Sequence, residues 1–205
     1  MNDDYILLGE AHLENLFYEL AVHLAGAKKQ PGVYIEFRRA MLLRSSIPAL
    51  IREFSPEVVY FEGHRDSGTI VGEGTDDLAK KAKKEGAKAV FLDEGVRAYD
   101  ILGKMLDLGF DAPFFNFTLY PAFYYLNRTR ENTWLEKMLD NGPGMALMGA
   151  AHLKRMDTLL SDAGQQVVQK DLWKETRKYA RELRKKYGRE PKEIIVHSWC
   201  IEERQ

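Results

Sequence analysis

Two histidines stand in the same local setting in the two halves of the chain. Residues 5–12 read YILLGEAH and residues 145–152 read MALMGAAH, so His12 and His152 each follow a short apolar run through a glycine. Neutral imidazole is a ligand for Zn²⁺, Mn²⁺ and Co²⁺, and it can also accept or donate a proton near neutral pH. The repeated pattern predicts one shared site, for metal binding or for general acid–base chemistry.

Further residues of the same chemical types follow two more apolar runs, at 58–61 and 89–92. Glu62 and His64 follow the first of these runs, Asp93 and Glu94 follow the second, and Glu10 is a further candidate beside His12. Imidazole with carboxylate is the ligand set of many Zn, Mn and Co sites, and such an ion lets its bound water form hydroxide near neutral pH. Without a metal the same residues form a general acid–base pair. Both interpretations stay open, and His64 is equally suited to capping the next turn.

Short apolar runs bounded by glycine alternate along the chain with stretches of helical periodicity. This alternation predicts an α/β fold with a mainly parallel central sheet flanked by helices. Ligands bind such a sheet at the C-terminal edge of its strands, because the loops that leave the strands converge there. We therefore expect the site at that edge.

No linker is long enough or biased enough in composition to split the chain, which predicts a single domain over residues 1–205. The strands are predicted at 5–8, 58–61, 89–92 and 145–148, with weaker strand patterns at 33–37, 165–169 and 194–201. The helices are predicted at about 13–25, 41–54, 76–85, 97–108, 120–140, 153–163 and 172–187. Pro48 is expected to interrupt the second helix, and Pro121 to lie in the first turn of the fifth.

Composition narrows the class of protein. The chain has 205 residues, 45% of them hydrophobic and 30% charged, which is enough for one α/β domain with a full core. A net charge of −1 argues against a general nucleic-acid binder, and the single cysteine, Cys200, excludes an intramolecular disulfide. The acidic N-terminus and the lack of an apolar run of about 20 residues argue against a signal peptide and an integral membrane segment. We expect a soluble, cytoplasmic protein.

Two segments of unusual composition have more than one interpretation. Residues 110–125 include eight Phe or Tyr, which suit core packing under a lid, an aromatic substrate groove or a homodimer interface. We favour core packing. Residues 172–187 carry a basic face, which we interpret as solvated, with an anionic partner or membrane surface as the alternative.

Five segments, in order along the chain, resemble the TraB/Tiki family, which includes pheromone-shutdown and GumN-like members. They are LLGEAH, PEVVYFEGHR, the strand ending at Asp93, the RTRENTWLEKM helix and MALMGAAHLKRMDTLLSDAG, and they lie within residues 5–168. The resemblance implies an α/β fold of the wider erythromycin-esterase and ChaN-like group, and metal-dependent peptidase activity. It also implies that His12 and His152 are metal ligands or catalytic residues, and that Glu62 is the acidic residue after the second strand.

The chain departs from the family pattern at two places. Glu10 stands where TraB-like sequences often carry a hydroxyl residue, so this motif is closer to the GExH of erythromycin esterases and ChaN-like haem binders. Residues 130–132 read Arg-Glu-Asn where the family tends to read Glu-Arg-Asn. The asparagine, Asn132, matches. Arg128 and Arg130 are therefore both candidates for stabilising the transition state.

The helix that carries these arginines has an apolar stripe formed by Leu135, Met138 and Leu139. Extending the stripe towards the N-terminus puts Arg128 and Glu131 on or beside the buried face. Buried charges need partners, so we expect both side chains to be paired.

These observations lead to one hypothesis about function and two alternatives. We expect metal-assisted hydrolysis of a peptide bond, with a divalent ion (Mn, Co or Zn) held by His12 and His152. Glu10 or Glu62 would act as a further ligand or accept the proton of the attacking water, and His64 is another candidate ligand. The first alternative is an esterase-like hydrolase of a small-molecule substrate that uses His12 and Glu10 without metal. The second is a protein whose histidine cleft binds haem or another small ligand without chemistry.

Overall fold

A computed structural model describes residues 4–11, 24, 26, 32–63, 75–93, 112–197 and 200–202, with the backbone alone for 112–126, 195, 197 and 200–202. Three of the predicted strand-end residues, His12, His64 and Glu94, lie outside these ranges. So does the predicted helix at 97–108, and so does nearly all of the one at 13–25.

A parallel sheet of five strands forms the centre of the described fold. Its strands are β1 (Tyr5–Glu10), β2 (Val58–Phe61), β3 (Lys88–Phe91), β4 (Met145–Gly149) and β5 (Val167–Asp171). They are arranged in the order β3-β2-β4-β1-β5, and every neighbouring pair is parallel. The predicted α/β fold with a parallel central sheet is confirmed. The four strands whose ends carry candidate residues are consecutive in this order, so those ends lie side by side.

Helices cover both faces of the sheet. Within the described ranges they are α1 (Val33–Phe54), α2 (Thr75–Lys84), α3 (Ala112–Asn141), α4 (Leu153–Asp162) and α5 (Leu172–Tyr187). One core joins the sheet to α1, α2 and α5, and a second joins its other face to α3 and α4. No helix in these ranges has the length and apolar character needed to cross a membrane.

Alternation along the strands sends successive side chains into the two cores. Ile6 and Leu8 of β1 belong to the core under α1, whereas Tyr5 and Leu7 belong to the core under α3. Both faces of these strands are therefore buried, which explains their continuous apolar sequence. Because side chains two positions apart share a face, Glu10 extends the row of Ile6 and Leu8.

In β2 the same alternation places the residue after the strand on the other face of the sheet from Glu10. Val58 and Tyr60 pack in the core under α3, and Val59 and Phe61 pack in the core under α1. Glu62, two positions after Tyr60, therefore continues the row on the α3 face.

The prediction of a strand at 33–37 was wrong, because one continuous helix, α1, begins at Val33. Gly32 has a φ of 89°, which glycine adopts readily, and its carbonyl accepts a hydrogen bond from the Glu36 N–H at 3.0 Å. This contact starts the helix directly after the predicted turn. Pro48 lies inside α1 and does not divide it, so that expectation was also wrong.

Two further predictions differ from the structure in their boundaries. Helix α3 begins at Ala112, so Pro121 lies within it rather than in its first turn. The single strand predicted at 194–201 is instead two short strands, β6 (Ile195–His197) and β7 (Cys200–Glu202), paired antiparallel outside the main sheet. The same apolar alternation suits one strand or two halves of a hairpin, and only the pairing distinguishes them.

Candidate functional site

His152 lies at the turn between β4 and α4, where its backbone is held on both sides. Its N–H donates to the Gly149 carbonyl at 2.9 Å, and its own carbonyl accepts from the Met156 N–H at 3.0 Å. The imidazole is buried, and its Nδ1 lies 2.7 Å from Oε1 of Glu131, which is also buried. A carboxylate oxygen beside Nδ1 acts as a hydrogen-bond acceptor, so this contact favours the tautomer with its proton on Nδ1 and directs Nε2 to the opposite side of the ring.

Glu62 faces the second ring nitrogen of His152, Nε2. Its Oε1 lies 3.5 Å from Nε2 of His152, and its Oε2 accepts the Gly149 N–H at 2.6 Å. The contact with Gly149 ties the end of β2 to the end of β4. A carboxylate and an imidazole nitrogen are thus held together at the C-terminal edge of the sheet.

Arg130 of α3 joins Glu62 to Asp93, which follows β3. Its Nη2 donates to Glu62 Oε1 at 3.0 Å and to Asp93 Oδ2 at 2.7 Å, and its Nε donates to Asp93 Oδ1 at 3.0 Å. Burial lowers the pKa of Arg130, but the hydrogen bonds and charges of Asp93 and Glu62 outweigh this effect and raise the pKa above its usual value. The guanidinium is therefore a permanent positive charge in the site.

Trp134 connects the two halves of the cluster. Its indole N–H donates to Asp93 Oδ1 at 2.8 Å, and the Arg130 guanidinium lies 4.9 Å from its ring centroid. The His152 ring meets it edge-on, with centroids 5.0 Å apart. Trp134 itself is fully buried.

Glu10, the other carboxylate proposed as a base, belongs to a different cluster. Arg44 of α1 lies 3.5 Å from Glu10 Oε1 through its Nη1, and its Nη2 donates to Thr75 Oγ1 at 2.8 Å. The Arg44 side chain is buried on the α1 face of the sheet. The Glu62 side chain therefore contacts His152, and the Glu10 side chain pairs with Arg44.

The remaining candidates on α3 have different environments. Arg128 and Asn132 are exposed, whereas Arg130 and Glu131 reach the site. The prediction that Glu131 is buried and paired is confirmed, and Arg128, predicted on or beside the buried face, is exposed. Residues two positions apart on a helix point about 200° apart, so Arg128 and Asn132 face away from the direction of Arg130.

Three contributions were not recognised from the sequence: Glu131 as the partner of His152, Asp93 as the partner of Arg130, and Trp134 between them. A signal existed on α3, because Trp134 is three positions after Glu131 and four after Arg130, and side chains at these spacings are neighbours. No local pattern could connect α3 to Asp93, which lies 37 positions before Arg130.

The donor set partly fits a divalent metal ion. Among the side chains that the structure describes, no three His, Cys, Asp or Glu residues form a metal-binding group. Two donors of suitable chemistry are nevertheless present, Nε2 of His152 and Oε1 of Glu62, and Glu131 supplies the carboxylate that commonly orients a histidine ligand. Further ligands would have to come from residues beyond the described ranges, such as His12 or His64.

The charges of the side chains around His152 are also relevant to cation binding. The described part of the cluster holds three carboxylates, Glu62, Asp93 and Glu131, against the single guanidinium of Arg130. Such a cluster favours a further cation, either a bound ion or the imidazolium form of His152. The strands that precede the two histidines in the sequence, β1 and β4, are adjacent in the sheet, as predicted.

Comparison with known proteins gave no match. No family model, no curated protein and no solved structure matches the chain. The resemblance to the TraB/Tiki family stays a prediction, and the function has to be argued from the site.

Proposed function

We propose that this protein is a metal-dependent hydrolase that cleaves peptide bonds at the His152–Glu62 pair. The observation that carries the proposal is the chain of contacts from Glu131 through His152 to Glu62, with separations of 2.7 Å and 3.5 Å. A buried carboxylate fixes the imidazole and leaves its second nitrogen facing another carboxylate. This is an arrangement that either holds a metal ion or moves a proton.

In the proposed site, His152 and His12 hold the ion, with Glu62 or His64 as a further ligand. A bound divalent ion lowers the pKa of its water so that hydroxide forms near neutral pH. Support comes from the donor chemistry of the described residues, from the excess of carboxylates, and from the adjacent strands that carry the two histidine motifs.

The other residues have separate tasks. Glu62 accepts the proton of the attacking water through the oxygen that faces His152, while its second oxygen stays anchored on the Gly149 N–H. Glu131 keeps the imidazole in one orientation. Arg130, which stays charged, stabilises the negative charge that develops on the carbonyl oxygen of the substrate.

We also propose that the chain is related to the TraB/Tiki family and acts in the cytoplasm on a peptide or another small substrate. The ordered segments that resemble the family support the first point. The lone cysteine, which suits a reducing compartment, supports the second.

A metal-free, esterase-like hydrolase is the second candidate, because one observation favours it. The contact between Glu131 and Nδ1 is also the arrangement that orients a histidine acting as a general base. The two candidates differ in one measurable property: only the first loses activity when a chelator removes the metal.

The test is hydrolysis of peptide and ester libraries by protein purified without chelator, with added Mn, Co or Zn, and again after chelation. We compare wild type with Glu62→Gln, which keeps the size of the side chain and removes its negative charge. The matched control is Glu57→Gln, an exposed glutamate directly before the other end of β2. We expect metal-stimulated cleavage, a loss in kcat of at least about 10²-fold for Glu62→Gln, and no change for the control.

Three outcomes would contradict the proposal in different ways. Full activity of Glu62→Gln would remove the proposed base. Activity that resists chelation would favour the esterase-like candidate. If wild type cleaves nothing, while added haem gives a histidine-ligated absorption spectrum that is lost in His12→Ala, the protein is a ligand binder and the hydrolase proposal is wrong.

A further inference from the structure

Asp93 is a buried carboxylate whose two oxygens are both occupied by donors. Oδ1 accepts from Arg130 Nε at 3.0 Å and from the Trp134 indole at 2.8 Å. Oδ2 accepts from Arg130 Nη2 at 2.7 Å and from the Gly63 N–H at 3.1 Å. A carboxylate offers about four acceptor positions, so these four hydrogen bonds occupy them. Asp93 is therefore suited to holding its neighbours rather than to accepting a proton from water.

The contact with Asp93 also restricts what Arg130 can bind. A guanidinium has five N–H donors arranged as a fork. The edge formed by Nε and Nη2 is taken by Asp93, and Nη2 also donates to Glu62. Among the described residues, the Nη1 end has one longer contact, 3.3 Å to Asn127 Oδ1. Arg130 thus keeps donor capacity for one oxygen atom, but not the Nε and Nη2 fork that grips a carboxylate or phosphate through two oxygens.

Trp134 restricts rotation of the Arg130 guanidinium. It lies beside the Arg130 group, 4.9 Å from ring centroid to Cζ, and bonds to the same Asp93 oxygen as Nε. Rotation of the guanidinium would break at least one of these contacts. The side chain is held while 17% of it remains exposed to solvent.

We infer that Asp93 is a positioning residue that aligns Arg130 on one substrate oxygen, so the substrates are neutral acyl compounds, amides or esters, rather than anions gripped by a fork. This inference rests on the proposed hydrolase function. In the reaction, water oxygen bonds to the carbonyl carbon, the C=O electron pair moves onto the carbonyl oxygen beside Arg130, and a water proton passes to Glu62. The electron pair then returns from that oxygen to re-form C=O, the C–N or C–O bond breaks with its electrons on the leaving group, and the leaving group takes the proton from Glu62.

The decisive experiment is a double-mutant cycle with Asp93→Asn, Arg130→Gln and the double variant, using the substrate found in the library assay. We expect Asp93→Asn to lower kcat by about 10²-fold with little change in KM, since the aligned donor acts on the charge of the transition state. In the Arg130→Gln background the same change should cost almost nothing. Equal losses in both backgrounds would show a structural role and overturn the inference. Asp140→Asn, an exposed change on α3, is the matched control and should change neither constant.

A second variant keeps the inference testable if Asp93→Asn does not fold. Arg130→Lys keeps the charge but cannot make the two parallel bonds to Asp93. It should lose as much activity as Arg130→Gln, and full activity of the lysine variant would overturn the inference.

An observation without substrate separates this inference from the proposed function. In ¹⁵N-labelled protein the Arg130 Nε–H should exchange slowly with water, and in Asp93→Asn its resonance should shift and exchange faster. If wild type hydrolyses nothing but these signals behave as expected, the hydrolase proposal fails while the alignment of Arg130 stands. An Arg130 signal that is the same in both proteins overturns the alignment itself.

Discussion

Glu10 and Glu62 leave the same edge of the central sheet on opposite faces. Glu10 lies 3.5 Å from Arg44 of α1, and Glu62 lies 3.0 Å from Arg130 of α3. Both carboxylates are paired with a guanidinium, and Glu62 also lies 3.5 Å from the His152 ring. The two residues are therefore expected to affect different properties of the protein.

Replacing Glu10 by Gln should reduce stability and leave metal binding unchanged. Removing the negative charge leaves the buried Arg44 guanidinium without this counter-ion, at a cost of about 1–3 kcal/mol. Denaturant unfolding of Glu10→Gln and Glu62→Gln, together with metal titration of both, makes the comparison. A loss of metal affinity in Glu10→Gln equal to that in Glu62→Gln would show that the two carboxylates share one site after all.

Replacing Glu131 by Gln should weaken metal binding about 10- to 100-fold, because the variant loses the charged partner that orients the His152 ring. The folded structure should persist, since glutamine fills the same space. Isothermal titration with Mn, Co and Zn measures the effect, and Glu136→Gln, an exposed change on the same helix, is the control. Unchanged affinity in Glu131→Gln would mean that His152 binds no metal.

His12→Ala and His152→Ala should each abolish tight binding of Mn, Co or Zn while the fold is retained. In wild type, binding should weaken as the pH falls below the histidine range, because protons compete for the same ring nitrogens. Calorimetric titration at several pH values checks both expectations. A wild-type protein that binds none of these ions would refute the metal hypothesis.

Two buried tyrosines should make the protein sensitive to alkali. The Tyr5 and Tyr60 hydroxyls both donate to the Met138 carbonyl, at 3.0 Å and 3.2 Å, and Tyr60 also bonds to Gly142. Burial raises the pKa of both phenols above the usual 10.0, and in Tyr60 the nearby Tyr5 raises it further. The folded state therefore binds protons that the unfolded chain releases. The resulting stability is present below pH of about 10 and is lost as the pH rises through the higher pKa of the folded state.

Tyr60→Phe tests this expectation. The variant should be less stable near neutral pH by about 1 kcal/mol, because the hydroxyl bonds are lost, and its stability should fall less steeply above pH 10. Thermal unfolding across the alkaline range gives the slopes, with Tyr34→Phe, a largely exposed tyrosine, as the control. Parallel slopes for wild type and Tyr60→Phe would disprove the role of this phenol.

The sequence by itself determined the main elements, because each depends on residues close together in the chain. The strands near Tyr5, Val58 and Met145 follow from apolar runs that are buried on both faces. The turn that carries His152 follows from a glycine between a strand and a stretch of helical periodicity. Local patterns also predicted that Glu131 is buried.

Tertiary structure alone decided which of these residues meet. Strand alternation assigns Glu10 and Glu62 to alternate faces, but only the order of the strands and the packing of α1 and α3 decide which arginine each one finds. Asp93 reaches Arg130, 37 positions later, because β3 ends beside β2 and under α3. Such contacts depend on the packing free energy of whole helices against the sheet. The sequence close to each residue does not contain this information, so it cannot predict the contact.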